Sequence, residues 1–199
     1  MPTKKFFDLT DEKKKAFINA AISEFERQSF EDASIFNIAH NAGVSRTGIY
    51  YYFANKQDIY DYLLSLIHDK FFEYIKPSDK LDIFELFMKY FEFIASYKGT
   101  CEEKFIRQTY ENIKLLGVNT LSLSIQRLSP EIGKKQEIID LSNLKYETED
   151  FLKMICLMGF GAISRLSSDY FLGKLTYDDA KQQYEIFMDC LKNGFIKQK

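Results

Sequence analysis

The chain reads as an all-α protein: an N-terminal three-helix head with a helix-turn-helix, followed by a larger C-terminal helical bundle. Three observations predict this. Only three prolines and nine glycines occur in 199 residues, too few breakers for a many-turned β fold. Apolar residues recur at three- and four-residue spacing along most of the chain, the period of a helix buried on one side. The stretch from Ser34 to Lys56 holds two short helical patterns around a glycine.

Taken in order, residues Met1 to Leu9 form a short leader with Lys4 and Lys5. Thr10 is a natural N-cap, and Asp11 and Glu12 suit the positive end of a helix dipole. The helix that follows places Phe17, Ala20, Ala21 and Phe25 on one side. The run Lys13–Lys15 is either a solvated face or a phosphate-contacting one. Ile35, Ile38, Ala39 and Ala42 then make a second apolar stripe, with Ser34 as its N-cap and Gly43 at its end, where φ > 0 costs glycine little. Ser45 opens a further short helix, Arg46 to about Phe53. In a helix-turn-helix, the second helix normally enters a DNA major groove.

Lys56 to Lys76 predicts a linking helix carrying Ile59, Leu63, Leu66 and Ile67, broken at Pro77-Ser78-Asp79. Leu81 to Tyr97 is apolar almost all round and belongs in an interior. Helices follow over Glu102–Leu116, closed by Gly117, and Leu121–Leu128, stopped by Ser129-Pro130; Glu131 to Leu144 follows no clear pattern. Tyr146 to Leu172 is a long helix with mid-helix glycines at 159 and 161, which destabilise unless a neighbour packs against the bare backbone. Tyr177 to Asn193 is the last helix, capped by Gly194.

The run from Ile38 to Tyr60 closely resembles the N-terminal signature of the tetracycline-repressor (TetR) family of bacterial transcription regulators. Ile38, Ala39, Ala42, Gly43, Val44, Ser45, Tyr50, Tyr52, Phe53 and Lys56 carry the resemblance, and Phe17 to Phe25 looks like the family's first helix. The chain departs from the pattern at Thr47-Gly48, where the family usually has glycine first, and at Ser29, where it commonly has glycine. The resemblance implies a DNA-binding domain over 1–58 and a ligand-binding and dimerisation domain over 59–199. The functional boundary then falls near Ile59 to Tyr62, inside the linking helix.

The same resemblance implies three sites. On the recognition segment, Arg46, Thr47, Tyr50 and Tyr51 are expected to face the groove, with Gly48 among them and Arg46 placed to pair with guanine. Tyr52 and Lys56 are expected at phosphate, and Ser34 and Ser45 act as caps, phosphate donors or both. Core packing is the competing reading for one of the tyrosines and for Phe53. A hydrophobic or aromatic effector would be walled by Phe84, Phe87, Met88, Tyr90 and Phe91, with Phe105, Tyr110 and Phe160 added. An ordinary phenylalanine-rich core would look the same. A homodimer would form through the last two helices, by Met154, Met158, Ala162, Tyr184, Phe187, Met188 and Leu191, and would read a palindromic double-stranded operator.

Composition narrows the alternatives. The formal net charge is −2. Through Lys56 there are eight basic and seven acidic residues, so DNA affinity has to come from local placement of cations. Cys101, Cys156 and Cys190 are an odd, widely spaced set, as expected of a reducing cytoplasm. No signal-like segment leads the chain, and the apolar run from Met154 to Ile163 falls short of a membrane span. His40 and His68 lack spaced partners, so no metal is expected. No catalytic motif and no cofactor fingerprint is present; Gly159-x-Gly161 lacks the third glycine of a dinucleotide site. The expectation is therefore a ligand-responsive regulator, most simply a repressor, and not an enzyme. The alternative is a helical-bundle binding protein or adaptor without operator specificity, to which the Thr47-Gly48 inversion is the one pointer.

Overall fold

The computed structural model describes residues 2–75, 80–100, 102–116, 139–142, 144, 146 and 148–193, with backbone alone at 110–116 and at 139. The expected break at Pro77, the cysteine at 101, the helix over Leu121–Leu128 and the caps at Gly117 and Gly194 lie outside the described residues. The chain divides into two compact units, Met1–Glu73 and Tyr74–Lys199. This is a division by packing. The boundary expected at 58–59 is a functional one and falls inside the helix Lys56–Tyr74.

The first unit contains α1 (Lys4–Phe7), α2 (Asp11–Arg27), α3 (Ile35–Asn41), α4 (Arg46–Ile49) and most of α5 (Lys56–Tyr74). Thr10 caps α2, accepting the Lys13 N–H at 3.4 Å. Phe6, Phe17, Phe25, Ile38, Ile49, Phe53, Ile59 and Leu63 are buried together. Phe17 and Phe53 stack with centroids 5.0 Å apart, and Phe6 stands edge-on to Phe53 at 5.0 Å. Burying each such ring stabilises the unit by about 1.5–3 kcal/mol. Gly43 turns between α3 and α4 at φ 68°, as its position in the sequence requires.

The recognition segment is shorter as an α-helix than expected. It ends at Ile49 rather than near Phe53. Beyond it the N–H groups of Tyr51 and Tyr52 reach back only three residues, to the Gly48 and Ile49 carbonyls, and Phe53 bonds Ile49. This tightening swings Phe53 into the core while leaving Tyr50 and Tyr51 outside.

The second unit contains α6 (Ile83–Ala95), α7 (Glu103–Leu116), α8 (Glu149–Phe171) and α9 (Tyr177–Asn193). α8 is the central element and packs on α6, α7 and α9. A two-residue parallel bridge, β1 (Leu81–Asp82) with β2 (Ile139–Asp140), was not foreseen. Asp82 also caps α6, accepting the N–H groups of Phe84 and Glu85 at 2.8 Å each while Glu85 accepts the Asp82 N–H. The mid-helix glycine at 159 has its packing reason: a Cβ there would lie 2.6 Å from the Phe87 ring, so the bare backbone lets α6 approach α8. By length and composition α8 could cross a membrane, which the shorter run Met154–Ile163 did not suggest. More than half of that stretch is buried inside the protein, and it carries the Arg165–Asp169 ion pair at 2.7 Å.

Candidate nucleic-acid interface

The face built by α3 and α4 is made by what its rear side buries. Ile38 and Ala39 of α3 and Ile49 of α4 point inward. The opposite sides of the two helices must then face solvent, and Arg46, Thr47, Tyr50 and Tyr51 are all exposed, Tyr51 at 60%. Ser45 is a cap: its Oγ accepts the Gly48 N–H at 2.9 Å. Gly48 is half-buried against it, and a Cβ there would lie 2.8 Å from that oxygen. The Thr47-Gly48 order thus leaves threonine outward and places glycine where space is smallest. Tyr52 is half-buried, edge-on to Phe6 at 6.0 Å.

Two expected residues sit differently. The Ser34 hydroxyl makes no cap bond to α3. Instead the Ser34 N–H donates to Glu24 at 2.9 Å. The Lys56 ammonium donates to the carbonyls of Glu31 at 2.7 Å and Ala33 at 3.0 Å, and lies 5.0 Å over the Phe30 ring. It ties the loop before α3 to the start of α5, so two of its three donors are engaged within the chain.

Sequence reasoning missed three residues here. Glu24 is a carboxylate at 1% exposure, also accepting from Asn37 Nδ2 at 3.0 Å and paired with Arg27 at 3.1 Å. Its signal was a charged residue set among Ala20, Ala21 and Phe25. Phe36 is 56% exposed beside His40, on the outer side of α3. Thr3, in the leader, donates its N–H to the Tyr52 carbonyl at 2.8 Å and its hydroxyl to the Tyr51 carbonyl at 2.6 Å.

Residues 17–63, which span this face and its supporting core, match the family model for bacterial regulatory proteins of the tetR family. Over this segment the chain is similar to the TetR family. The TetR resemblance extends beyond it. The chain is 24% identical over 187 residues to the biofilm operon icaADBC HTH-type negative transcriptional regulator IcaR of Staphylococcus aureus, covering 92% of this chain and 99% of that one. In fold it is similar to a TetR-like transcriptional regulator from Rhodococcus sp. RHA1, with a TM-score of 0.56, 17% identity and 92% and 97% of the two chains covered. A Clostridium perfringens regulator matches at a TM-score of 0.51, 17% identity, 92% of this chain and all of that one. The chain is thus similar to TetR-family regulators, its helix-turn-helix head matching the family model, and the relatives it matches are transcription regulators.

In the second unit, most residues expected to wall an effector pocket are interior. Phe87, Phe91, Tyr90, Phe105 and Phe160 are buried, while Phe84 and Met88 are half-buried. Phe160 lies 5.2 Å from both Phe87 and Tyr90. The Tyr110 side chain lies outside the described residues. The set expected at a dimer interface splits. Met154 and Met158 are exposed, and Ala162, Phe187 and Leu191 are half-exposed. Tyr184 and Met188 are buried within the single chain: Tyr184 stacks on Phe91 at 5.2 Å, and its hydroxyl donates to the Gly159 carbonyl at 3.4 Å. Leu157 and Ile186, the latter 58% exposed, extend the outer apolar surface of α8 and α9 and were missed. The Cys156 thiol is buried, and desolvation pushes its pKa up to about 12. Among the described residues no group of His, Cys, Asp and Glu is placed to hold a metal.

Proposed function

We propose that this chain is a homodimeric repressor that binds a palindromic double-stranded DNA operator and is released by a small hydrophobic or aromatic effector. The observation that carries the reading is the division of α4, with Ile49 and the following Phe53 buried while Arg46, Thr47, Tyr50 and Tyr51 stay outside. A helix that spends its apolar side on the core leaves a cation and hydrogen-bonding groups for base edges and phosphates. In this reading Tyr52, Ser34 and the cap Ser45 border the phosphate backbone. Lys13 and Lys15, both exposed, add cations, while Lys14 is paired with Asp11 at 3.2 Å. The negative regulation of the Staphylococcus aureus relative supports repression over activation.

Two copies are expected to pair through the outer surfaces of α8 and α9. Met154, Leu157 and Met158 recur there at helical spacing, with Ala162, Ile186, Phe187 and Leu191 beside them. The effector is expected among the aromatic side chains of α6, α7 and α8, around Phe87, Tyr90 and Phe160. For release, it must bind one spacing of the paired heads better than another, by its differential affinity alone. The functional boundary at 58–59 is proposed to be where α5 transmits that difference.

A band-shift titration of the full chain on DNA from upstream of its own gene tests this. The expected result is a salt-dependent, sequence-preferring complex with two protomers per site. Absence of binding to every fragment at low salt would overturn it.

A further inference from the structure

We propose that the first turn of the chain is part of the duplex-binding face, with Lys4 and Lys5 adding two phosphate contacts beside the recognition segment. The proposal rests on the reading of Arg46 to Tyr51 as the groove-facing residues, and extends it to an element outside the family match at 17–63.

Three independent features fix this turn in place. Thr3 is bonded twice to the end of the recognition segment, through its N–H to the Tyr52 carbonyl and its hydroxyl to the Tyr51 carbonyl. Those carbonyls follow the last helical residue and would otherwise depend on water. Phe6 is fully buried, edge-on to Phe17 at 5.4 Å, to Phe53 at 5.0 Å and to Tyr62 at 5.2 Å. The Lys5 ammonium lies 4.5 Å from the centroid of the exposed Tyr51 ring.

The consequence is positional. Bonded at Thr3 and plugged at Phe6, the turn cannot swing away without opening the core. Lys4 and Lys5, between those two anchors, are both exposed. Lys5 is held over the ring of Tyr51, the last of the groove-facing residues. A cation over an aromatic face keeps its charge and its N–H donors for a further partner. The partner that fits is the phosphate backbone flanking the bases met by Arg46, because lysine contacts phosphate as a point charge and carries no base preference. Phe6 is the buried residue of this helix, and Lys4 and Lys5 point their charges into solvent beside the recognition segment. The acidic Asp8, Asp11 and Glu12 follow beyond Phe6.

The test is a fluorescence-anisotropy titration of the full chain at several salt concentrations, on its upstream duplex and on an unrelated duplex of equal length. Each phosphate contact contributes about 0.9 to the slope of log affinity against log salt. The Lys4→Gln/Lys5→Gln variant is expected to lower that slope by about 2 on both duplexes, leaving the preference between them unchanged. The Lys4→Arg/Lys5→Arg variant is expected to restore it. An unchanged slope in the glutamine variant, with wild-type helix content and melting temperature, overturns the proposal while the DNA-binding reading stands. Failure of the wild type to bind either duplex overturns both.

Discussion

The carboxylate of Glu24 accepts the backbone N–H of Ser34 at 2.9 Å, joining the buried side of α2 to the residue that precedes α3. The same side chain holds Asn37 and Arg27. It therefore satisfies the N–H of the residue that precedes α3 and places a negative charge near the positive end of that helix. Glu24→Ala is expected to destabilise the head by about 2–3 kcal/mol, since hydrogen bonds to a charged acceptor are lost in a buried place. Glu24→Gln keeps one acceptor oxygen and should cost less. Urea unfolding followed by tyrosine fluorescence or circular dichroism measures both, and equal stability of Glu24→Ala and wild type would refute the assignment.

Arg46 and Ile49 lie three residues apart and are expected to fail differently. Arg46→Ala should leave the melting temperature within about 1 °C of wild type, because surface substitutions away from special features are usually within about 0.5 kcal/mol. It should weaken discrimination at one operator base pair by about 1–3 kcal/mol. Ile49→Ala removes a fully buried side chain and should cost about 2–5 kcal/mol of stability. Competition binding with base-substituted duplexes, paired with thermal melts, separates the two effects.

Gly159→Ala sets two effects against each other. Alanine favours a helix interior over glycine by about 1 kcal/mol. The new Cβ, however, would sit 2.6 Å from the Phe87 ring, and overpacking a filled core costs about 1–3 kcal/mol. The ring is fully buried and cannot move out of the way without displacing Phe160 beside it. Net destabilisation is expected, with partial recovery on adding Phe87→Leu. A stabilised single variant would count against the close approach of α6 and α8.

Asp82 gives the second unit an acid limit. Burial raises its pKa, but the Glu85 and Phe84 N–H groups and the Lys192 ammonium, 3.0 Å away, outweigh burial and hold it below the usual carboxylate value. A lowered native pKa means the contribution is complete above about pH 4, the unfolded value, and is lost as pH falls through the native one. Asp82→Asn is expected to flatten the acid side of the stability–pH curve and to lower stability at neutral pH. Unfolding midpoints measured from pH 3 to 7 on both proteins, to be read at about one-unit steps, provide the check.

Cys156 is fully buried on α8, and its raised pKa keeps it protonated through the physiological range. Only the thiolate reacts. Native protein treated with an alkylating reagent near pH 8 should therefore leave Cys156 unmodified, and denatured protein should expose it. Mass spectrometry of the tryptic fragment decides. Rapid native labelling would contradict the burial of this thiol.

Much of this was legible from residue order because it depends on short-range rules. The cap at Ser45, the turn at Gly43 and the buried stripe of Ile38 and Ala39 follow from spacing within one helix. What escaped depends on residues far apart. The role of Glu24 depends on Ser34 and Asn37, ten and thirteen residues away, which no spacing within α2 reveals. Lys56 looked like a phosphate ligand, and only the returning loop at Glu31 and Ala33 reveals its other employment. Tyr184 lay on the right stripe, but periodicity cannot say whether a stripe meets its own bundle or a second copy; contact with Phe91 places it inside. Conversely, Leu157 and Ile186 are ordinary core residues by composition, and their exposure appears only in three dimensions.

The bond from the Thr3 N–H to the Tyr52 carbonyl has a practical side. Whatever is spliced ahead of Thr3, whether an affinity tag, a protease-site remnant or a fluorescent fusion, emerges next to Tyr51 and so crowds the surface proposed to meet a duplex. Material prepared with such an extension would report a weakened or altered interaction whose origin lies in the cloning and not in the protein.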